Sequence, residues 1–199
     1  MSRAEEFDRL DFDLDEDEDD AVQAVVPRVA PSMQQELSVL SDRKPPWMWP
    51  INPSFITGLG DSVMAVRPKK NRPHEGLDIF APPGACIYTA SKGRVLRIRD
   101  GRASQQKKSR RAGLFVDFLS DPDDQGVQYI QRYLHLASVR DLGKEPLAQG
   151  SPIAELAAPY TSGLAERSHL HFEVRAVKAD GSYGPPIDPR RFLPPLSIA

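Results

Sequence analysis

The sequence predicts a mainly β domain preceded by an extended, partly disordered N-terminal arm. From Phe55 onward, short apolar runs are bounded by Gly, Pro and Asp, and few stretches show a helical period. Residues 168–175, SHLHFEVR, alternate strictly between polar and apolar side chains, as half-buried strands do. A chain of 199 residues is long enough for one domain with a sizeable core and a tail, and too short for two full domains.

The N-terminal arm is predicted to comprise residues 1–44, with one short helix at 32–40. Residues 1–20 hold eleven of the chain's 28 acidic side chains and only two of its 26 basic side chains. Such a block of one charge favours disorder. The remainder has a net charge of about +7, which favours an anionic partner.

Residues 45–55 are predicted to form a linker rich in Pro and Trp that lies extended on the domain surface. The stretch KPPWMWPINP, residues 44–53, has four prolines in ten residues, and each residue before a proline is disfavoured from helix. The domain itself is predicted to span residues 56–195. Its strands are expected near 63–67, 77–80, 86–90, 93–99, 113–119, 127–136, 152–157 and 168–177.

The basic segment 100–113, DGRASQQKKSRRAG, lies between two of these strands. We expect a solvated loop at the tip of a hairpin, and an electrostatic contact with an anionic glycan or nucleic acid is the alternative. Recognition of nucleic acid is not predicted, because the aromatic residues needed for base stacking are not interleaved with these charges.

The strand at 168–175 places two imidazoles on one face. The apolar face belongs to the core and carries Leu170, Phe172 and Val174. His169 and His171 project from the other face, roughly 6.6 to 6.8 Å apart along the strand. At that separation one can bind a metal while the other reaches a water molecule on it. A pair of half-exposed strand histidines is the alternative.

The two other histidines also lie in patterns typical of a site. His74 and Asp78 belong to HEGLD, where Pro73 and Gly76 favour a loop entering a strand. Two imidazoles and a carboxylate make a set of three zinc ligands that leaves a fourth position open for water, as a catalytic site requires. A hydrogen-bonded pair of His74 and Asp78 that only stabilises the loop is the alternative.

His135 lies in VQYIQRYLHL, residues 127–136, near the end of a predicted strand where a cleft could open. Strict alternation would put it on the face that carries Val127, Tyr129, Gln131 and Tyr133. The opposite face would then carry Gln128, Ile130, Arg132, Leu134 and Leu136. A purely structural histidine is the alternative at this position.

The motifs RPHEGLD, YLHL and SHLHFEV, in this order, resemble those of the zinc metallopeptidases of the lysostaphin and LytM type, peptidase family M23. The resemblance covers about residues 56–195 and implies an antiparallel β-sheet core with long loops. It implies one zinc ion per chain, held by His74, Asp78 and His171. It also implies that His135 and His169 are catalytic, and it leaves open which of them is the general base.

The same resemblance implies a zinc endopeptidase that cleaves peptide stems or cross-links of bacterial peptidoglycan. Two features depart from the family pattern: TSGLAERSHLHF is longer and more charged than the usual glycine-rich stretch, and the loop after Arg99 is longer. A non-catalytic wall-binding, activator or structural module is the alternative. Such a module would be expected to lack a ligand, whereas all five positions are filled.

The first twenty residues lack the basic start and apolar stretch of a secretory signal peptide. No run of eighteen apolar residues is present, so no membrane span is expected. We therefore expect synthesis in the cytoplasm and action in the periplasm or cell wall, after lysis or delivery by a phage or secretion system. We expect the acidic arm to be a plain disordered tail. The alternatives are that it covers the zinc cleft or that it binds a partner: an immunity protein, a virion component or a secretion-machine component.

Overall fold

The computed structural model describes residues 47–60, 63, 66–67, 72–163 and 165–197. The predicted tail, residues 1–44, lies outside the described residues, together with its acidic block and its expected helix at 32–40. Within the described part, no helix has the length and apolar character needed to cross a membrane.

Strands dominate the described residues, as the sequence predicts. In chain order the strands are β1 (Gly58–Leu59), β2 (Val66–Arg67), β3 (Arg72–Pro73), β4 (Leu77–Phe80), β5 (Cys86–Tyr88), β6 (Gly93–Asp100), β7 (Leu114–Ser120), β8 (Tyr129–Val139), β9 (Pro152–Leu156), β10 (His169–Val177) and β11 (Tyr183–Ile187). Helix α1 (Lys107–Ala112) lies between β6 and β7, and two 3₁₀ helices cover Pro53–Phe55 and Pro189–Arg191.

Among the described residues, nine strands form one antiparallel sheet with β10 near its centre. Its main path runs β1-β4-β10-β8-β7-β6, and β11, β5 and β9 attach to this path. Strand β8 pairs with one edge of β10, while β4 and β11 pair with successive parts of the other edge. The mainly β, antiparallel fold class is therefore confirmed.

The apolar face of β10 anchors the site to the core. Leu170, Phe172 and Val174 are each fully buried, as the alternation predicts, and burying such a side chain contributes about 1.5–3 kcal/mol. The ring of Tyr133 on β8 packs 5.0 Å from that of Phe172, centroid to centroid. Because this face is held by packing, the polar residues of β10 are fixed on the opposite face.

The segment with two tryptophans does not lie on the surface, in contrast to the prediction. Trp47 and Trp49 are only 7% and 5% exposed. Trp47 stacks on Phe192 with 4.3 Å between ring centroids. The indole N–H of Trp49 donates to the carbonyl oxygen of Pro194 at 3.0 Å. Prolines disfavour an α-helix around these tryptophans, but they do not prevent the side chains from packing against the C-terminal segment.

Three further differences concern elements that the sequence did not indicate. The predicted hairpin loop at 100–113 contains α1, whose basic side chains give no apolar stripe by which to recognise a helix. Strands β1 and β3 are two residues long, too short for a periodic signal. Strand β11 reads YGPPI, and its prolines fit an edge strand, where amide donors are not needed on the outer side.

Candidate metal centre and active site

The antiparallel pairing of β4 with β10 positions two of the predicted ligands. Asp78 on β4 lies directly opposite His171 on β10, and His74 lies in the short loop before β4. That loop passes close to β10 at Gly76, where a Cβ would lie 2.7 Å from the carbonyl oxygen of Phe172 and 2.8 Å from Nε2 of His171. Glycine is therefore required for the loop to bring His74 to the other two side chains.

Three donor atoms converge at this point. His74 Nε2 lies 3.0 Å from Asp78 Oδ1 and 3.1 Å from His171 Nδ1. His171 Nδ1 lies 2.7 Å from the same oxygen of Asp78. Tetrahedral zinc with bonds of about 2.0–2.1 Å requires ligand atoms roughly 3.3 Å apart, so the triangle needs to widen only slightly. Two imidazoles and a carboxylate, largely buried, fit a zinc ion.

Asp78 and His171 each stabilise the charged form of the other. Burial opposes ionisation of Asp78, but its hydrogen bonds with His171 and His74 outweigh burial and hold its pKa well below the usual range. Burial likewise opposes the charged form of His171, but hydrogen bonds with Asp78 and Glu173 raise the pKa of His171 to about 9. Without a metal, a proton on His171 therefore compensates the charge of the carboxylates around it.

His169 lies beside these three residues, on the same face of β10. Its Nδ1–H donates to the carbonyl oxygen of Arg167 at 2.8 Å, so Nε2 is left unprotonated in the neutral ring. Nε2 lies 3.6 Å from Asp78 Oδ1. Phe80, opposite His169 on β4, supports the ring at 5.7 Å between centroids, and the Arg167 guanidinium lies 4.5 Å above the Phe80 ring.

His135 reaches the same face through an irregularity of β8. Leu134 and Leu136 pair with consecutive residues of β7, so His135 is the extra residue of a β-bulge. Its φ is 65°, in the left-handed region. The ring lies 4.9 Å from that of His169 and 6.2 Å from that of His171, centroid to centroid.

The prediction that His135 lies on the same strand face as Tyr133 is therefore wrong. Tyr133 lies opposite Phe172 on the core side, and His135 would follow it there in a regular strand. The bulge turns His135 toward the histidines of β10 and returns Leu136 to the core, where it is fully buried. All five predicted site residues thus lie close together. His135 joins the other four because of the bulge and not because of strand alternation.

The environment of His135 keeps its ring neutral. Burial lowers the pKa of His135 to about 3, and the nearby His169 and His171 act in the same direction. The segment that covers it approaches so closely that a Cβ at Gly163 would lie 2.6 Å from His135 Nδ1. Ser162 holds that segment in place, because its Oγ accepts the backbone N–H of Leu114 at 2.9 Å.

Two further residues contribute to the site that the sequence motifs did not indicate. Glu173 Oε1 lies 3.1 Å from Nε2 of His171 and contacts the ring on the side away from Asp78. The sequence carries one signal for this contact: Glu173 follows His171 by two residues and therefore lies on the same face of the strand. Gly163 lies 28 residues from His135 in sequence, and nothing in the local pattern around it indicated the contact.

Comparison with known proteins decides the family. The model of a family described as peptidase family M23 matches residues 72–189, well over half of the chain and including all five site residues. The chain belongs to peptidase family M23. The recognised resemblance and the assignment as an M23 metallopeptidase are therefore confirmed.

Solved structures share the fold of this M23 peptidase. A zinc-containing peptidase from Vibrio cholerae is 25% identical with a TM-score of 0.50; the alignment covers 63% of this chain and 35% of that one. The chain thus spans about a third of the length of the Vibrio peptidase. The catalytic domain of lysostaphin, an antimicrobial peptidase from Staphylococcus simulans, is 20% identical with a TM-score of 0.51; the alignment covers 68% of this chain and 91% of that domain. No curated protein sequence showed a significant match.

Proposed function

We propose that this M23 peptidase is a zinc-dependent endopeptidase that hydrolyses peptide stems or cross-links of bacterial peptidoglycan. One observation carries the proposal: His74 Nε2, Asp78 Oδ1 and His171 Nδ1 lie within 3.1 Å of one another, with two further imidazoles beside them. The catalytic domain of lysostaphin, an antimicrobial peptidase, shares the fold, and membership of peptidase family M23 supports a peptidoglycan substrate. The zinc-containing Vibrio peptidase supports the identity of the metal.

When bound, zinc would supply Lewis-acid activation of the scissile carbonyl and of water. His74, Asp78 and His171 would hold it, and their donor set leaves a coordination position for substrate. The proton-transfer groups of this chain are the imidazoles of His135 and His169, which lie beside the three metal-binding side chains but are not among them.

The hydrogen bond of His169 to the Arg167 carbonyl supports a division of roles between His169 and His135. Because Nδ1–H of His169 donates to the Arg167 carbonyl, Nε2 is the atom available to accept a proton from water. The neutral ring of His135 can donate a hydrogen bond to the oxygen on which negative charge develops. We therefore propose His169 as the general base and His135 as the oxyanion donor.

Delivery of the enzyme to the periplasm or wall by a phage or secretion system stays a prediction, as does a partner for the acidic arm. Both depend on residues 1–44, which lie outside the described residues. We do not favour the alternative of a non-catalytic wall-binding or activator module, because the five residues to which we assign metal binding and proton transfer are all present and lie side by side.

The test is to incubate the purified full chain with peptidoglycan and to identify the released muropeptides by mass spectrometry. We expect new peptide termini, loss of activity on chelation and recovery on addition of zinc. Asp78→Asn should abolish release, whereas the matched control Asp121→Asn, at an exposed ion pair with Lys92, should not. Equal release by wild type, chelated protein and Asp78→Asn would overturn the proposal, and zinc binding without any cleavage would favour the activator module.

A further inference from the structure

We propose that Glu173 is a positioning residue for the metal ligand His171, and that a cross-strand ladder of Arg97, Asp117, Arg132 and Glu173 holds it in that role and so raises metal affinity. The inference rests on the proposed function in one respect, namely that His171 binds the metal. It adds a supporting network that extends from the metal centre across four strands of the sheet.

The sheet register places the members of the ladder directly opposite one another. Glu173 on β10 pairs with Arg132 on β8, which pairs with Asp117 on β7, which pairs with Arg97 on β6. Opposite residues in an antiparallel pair project from the same face with Cβ atoms about 4.5–5.5 Å apart. Acidic and basic side chains therefore alternate along one row that begins beside His171.

Buried carboxylates and partly exposed guanidinium groups form ion pairs along this row, by hydrogen bonds at Asp117 and at a longer distance at Glu173. Glu173 Oε2 lies 3.6 Å from Arg132 Nη1. Arg132 Nε donates to Asp117 Oδ1 at 2.7 Å, and Arg97 Nε donates to Asp117 Oδ2 at 2.6 Å. Both carboxylates are buried, with Asp117 fully enclosed and Glu173 only 6% exposed. Arg175 Nε also lies 3.9 Å from Glu173 Oε2.

At the site end of the ladder, Glu173 fixes the orientation of His171. Its Oε1 accepts Nε2–H of His171 at 3.1 Å. In the neutral ring that binds a metal, Nδ1 is then the unprotonated atom, on the side of Asp78 and His74. A carboxylate in this position also makes the imidazole a stronger metal ligand. The loop at Gly76 lies over the hydrogen bond, since a Cβ there would be 2.8 Å from His171 Nε2 and 3.0 Å from Glu173 Cγ.

Arg132 contributes by orienting Glu173. Truncation of one member of a buried charged pair leaves the other uncompensated. Without Arg132, the Glu173 carboxylate would lose the guanidinium beside its Oε2 and would be free to turn away from His171. Asp117 in turn holds the Arg132 guanidinium from the far side, through Oδ1. The ladder thus extends the positioning of a single ligand over three strands that carry no metal ligand.

The first experiment measures zinc affinity by chelator competition on the full chain. Loss of such a supporting partner typically lowers metal affinity 10–100-fold. We expect a loss of about 10-fold for Glu173→Gln, which keeps the shape and an acceptor atom, and of about 100-fold for Glu173→Leu, which removes both. The matched control Glu155→Gln, at an exposed strand glutamate on β9, should bind zinc as wild type does. The visible spectrum of bound Co²⁺ should change in the Glu173 variants and should stay as in wild type in Glu155→Gln.

A double-mutant cycle tests the ladder itself. Arg132→Met should weaken zinc binding in the wild-type background and should have no further effect in the Glu173→Leu background, because the interaction is then already absent. Should Glu173→Leu not fold, Glu173→Gln takes its place in the cycle. Additive losses, or an unchanged affinity in the Arg132 variant, would overturn the role of the ladder.

Thermal unfolding of the metal-free variants separates positioning from a purely structural role. Lower metal-free stability with wild-type zinc affinity and an unchanged Co²⁺ spectrum would overturn the inference while leaving the proposed function intact. Absence of zinc binding by the wild-type chain would instead overturn the proposed function, on which the inference rests.

Discussion

The ring of His135 lies 4.9 Å from that of His169, centroid to centroid, although regular alternation along β8 would put the two on opposite faces of the sheet. The left-handed backbone of His135, with φ 65°, and the bulge around it produce this contact. A conformation of this kind in a non-glycine residue is maintained only when the surrounding structure enforces it. Here the enforcing contacts come from the segment at Gly163.

Alanine at Gly163 should therefore impair turnover without removing the metal. Its φ is 77°, and the added Cβ would lie 2.6 Å from His135 Nδ1. Displacing a catalytic group by about 1 Å can lower kcat about 100-fold, so we expect a loss of that order with unchanged zinc stoichiometry. The control is Gly181→Ala, where φ is 82° and nothing lies within 4 Å of the new Cβ. Equal losses of kcat in the two variants would show that backbone strain alone is responsible.

Removal of His169 should separate catalysis from metal binding. Its Nε2 is 3.6 Å from Asp78 Oδ1 and is not one of the three clustered donors. General acid–base groups contribute typically 10²–10⁴-fold, so His169→Ala should lower kcat by about that factor and retain zinc. His74→Ala, the comparison variant, should lose zinc. Elemental analysis together with kcat distinguishes them, and loss of zinc from both variants would contradict this assignment.

Zinc binding to the metal-free protein should release protons. Burial opposes the charged form of His171, but hydrogen bonds with Asp78 and Glu173 raise its pKa to about 9. A metal ligand must be unprotonated, so binding at pH 7 should displace about one proton, and zinc affinity should rise with pH up to about 9. Titration calorimetry in buffers of different ionisation enthalpy measures the number released. A value near zero at pH 7 would contradict the raised pKa.

The same shift of the His171 pKa affects the stability of the metal-free protein, with a defined sign. A pKa raised above the ordinary 6.5 means that the folded state binds the proton more tightly than the unfolded state. The resulting stabilisation is fully present below pH 6.5 and is lost as the pH rises through about 9. Denaturant unfolding across that range should show the decrease, and loading with zinc should remove it. A pH-independent free energy of unfolding in the metal-free protein would contradict the linkage.

Trp47→Ala should destabilise the domain strongly, because the Trp47 side chain is 7% exposed and stacks on Phe192. Large-to-small core changes of this kind cost about 3–5 kcal/mol. Phe55→Ala is the control, since its side chain is 52% exposed and should change the free energy of unfolding by less than about 0.5 kcal/mol. Chemical denaturation of both variants provides the comparison. Similar small effects would mean that the segment lies on the surface, as its prolines first suggested.

Local patterns were sufficient for β10 and for the neighbourhood of His74. The period of two in SHLHFEVR places Leu170 and Phe172 in the core and His169 and His171 outside it, as the structure has them. Pro73 and Gly76 correctly indicated a loop that leads into a strand. Helix α1 and strand β11 were not recognised, because a run of basic residues and a proline-rich pentapeptide carry no amphipathic period.

The sequence by itself was sufficient to predict the fold class, a resemblance to the family and the five candidate site residues, since strand alternation and short motifs are local properties of the chain. Only the tertiary structure decided that His135 turns out of the core, that Trp47 enters it and that Glu173 joins His171 to the charges of three further strands. Each of these depends on contacts between segments far apart in the chain, where the register of the sheet and close packing, rather than local preference, select one arrangement.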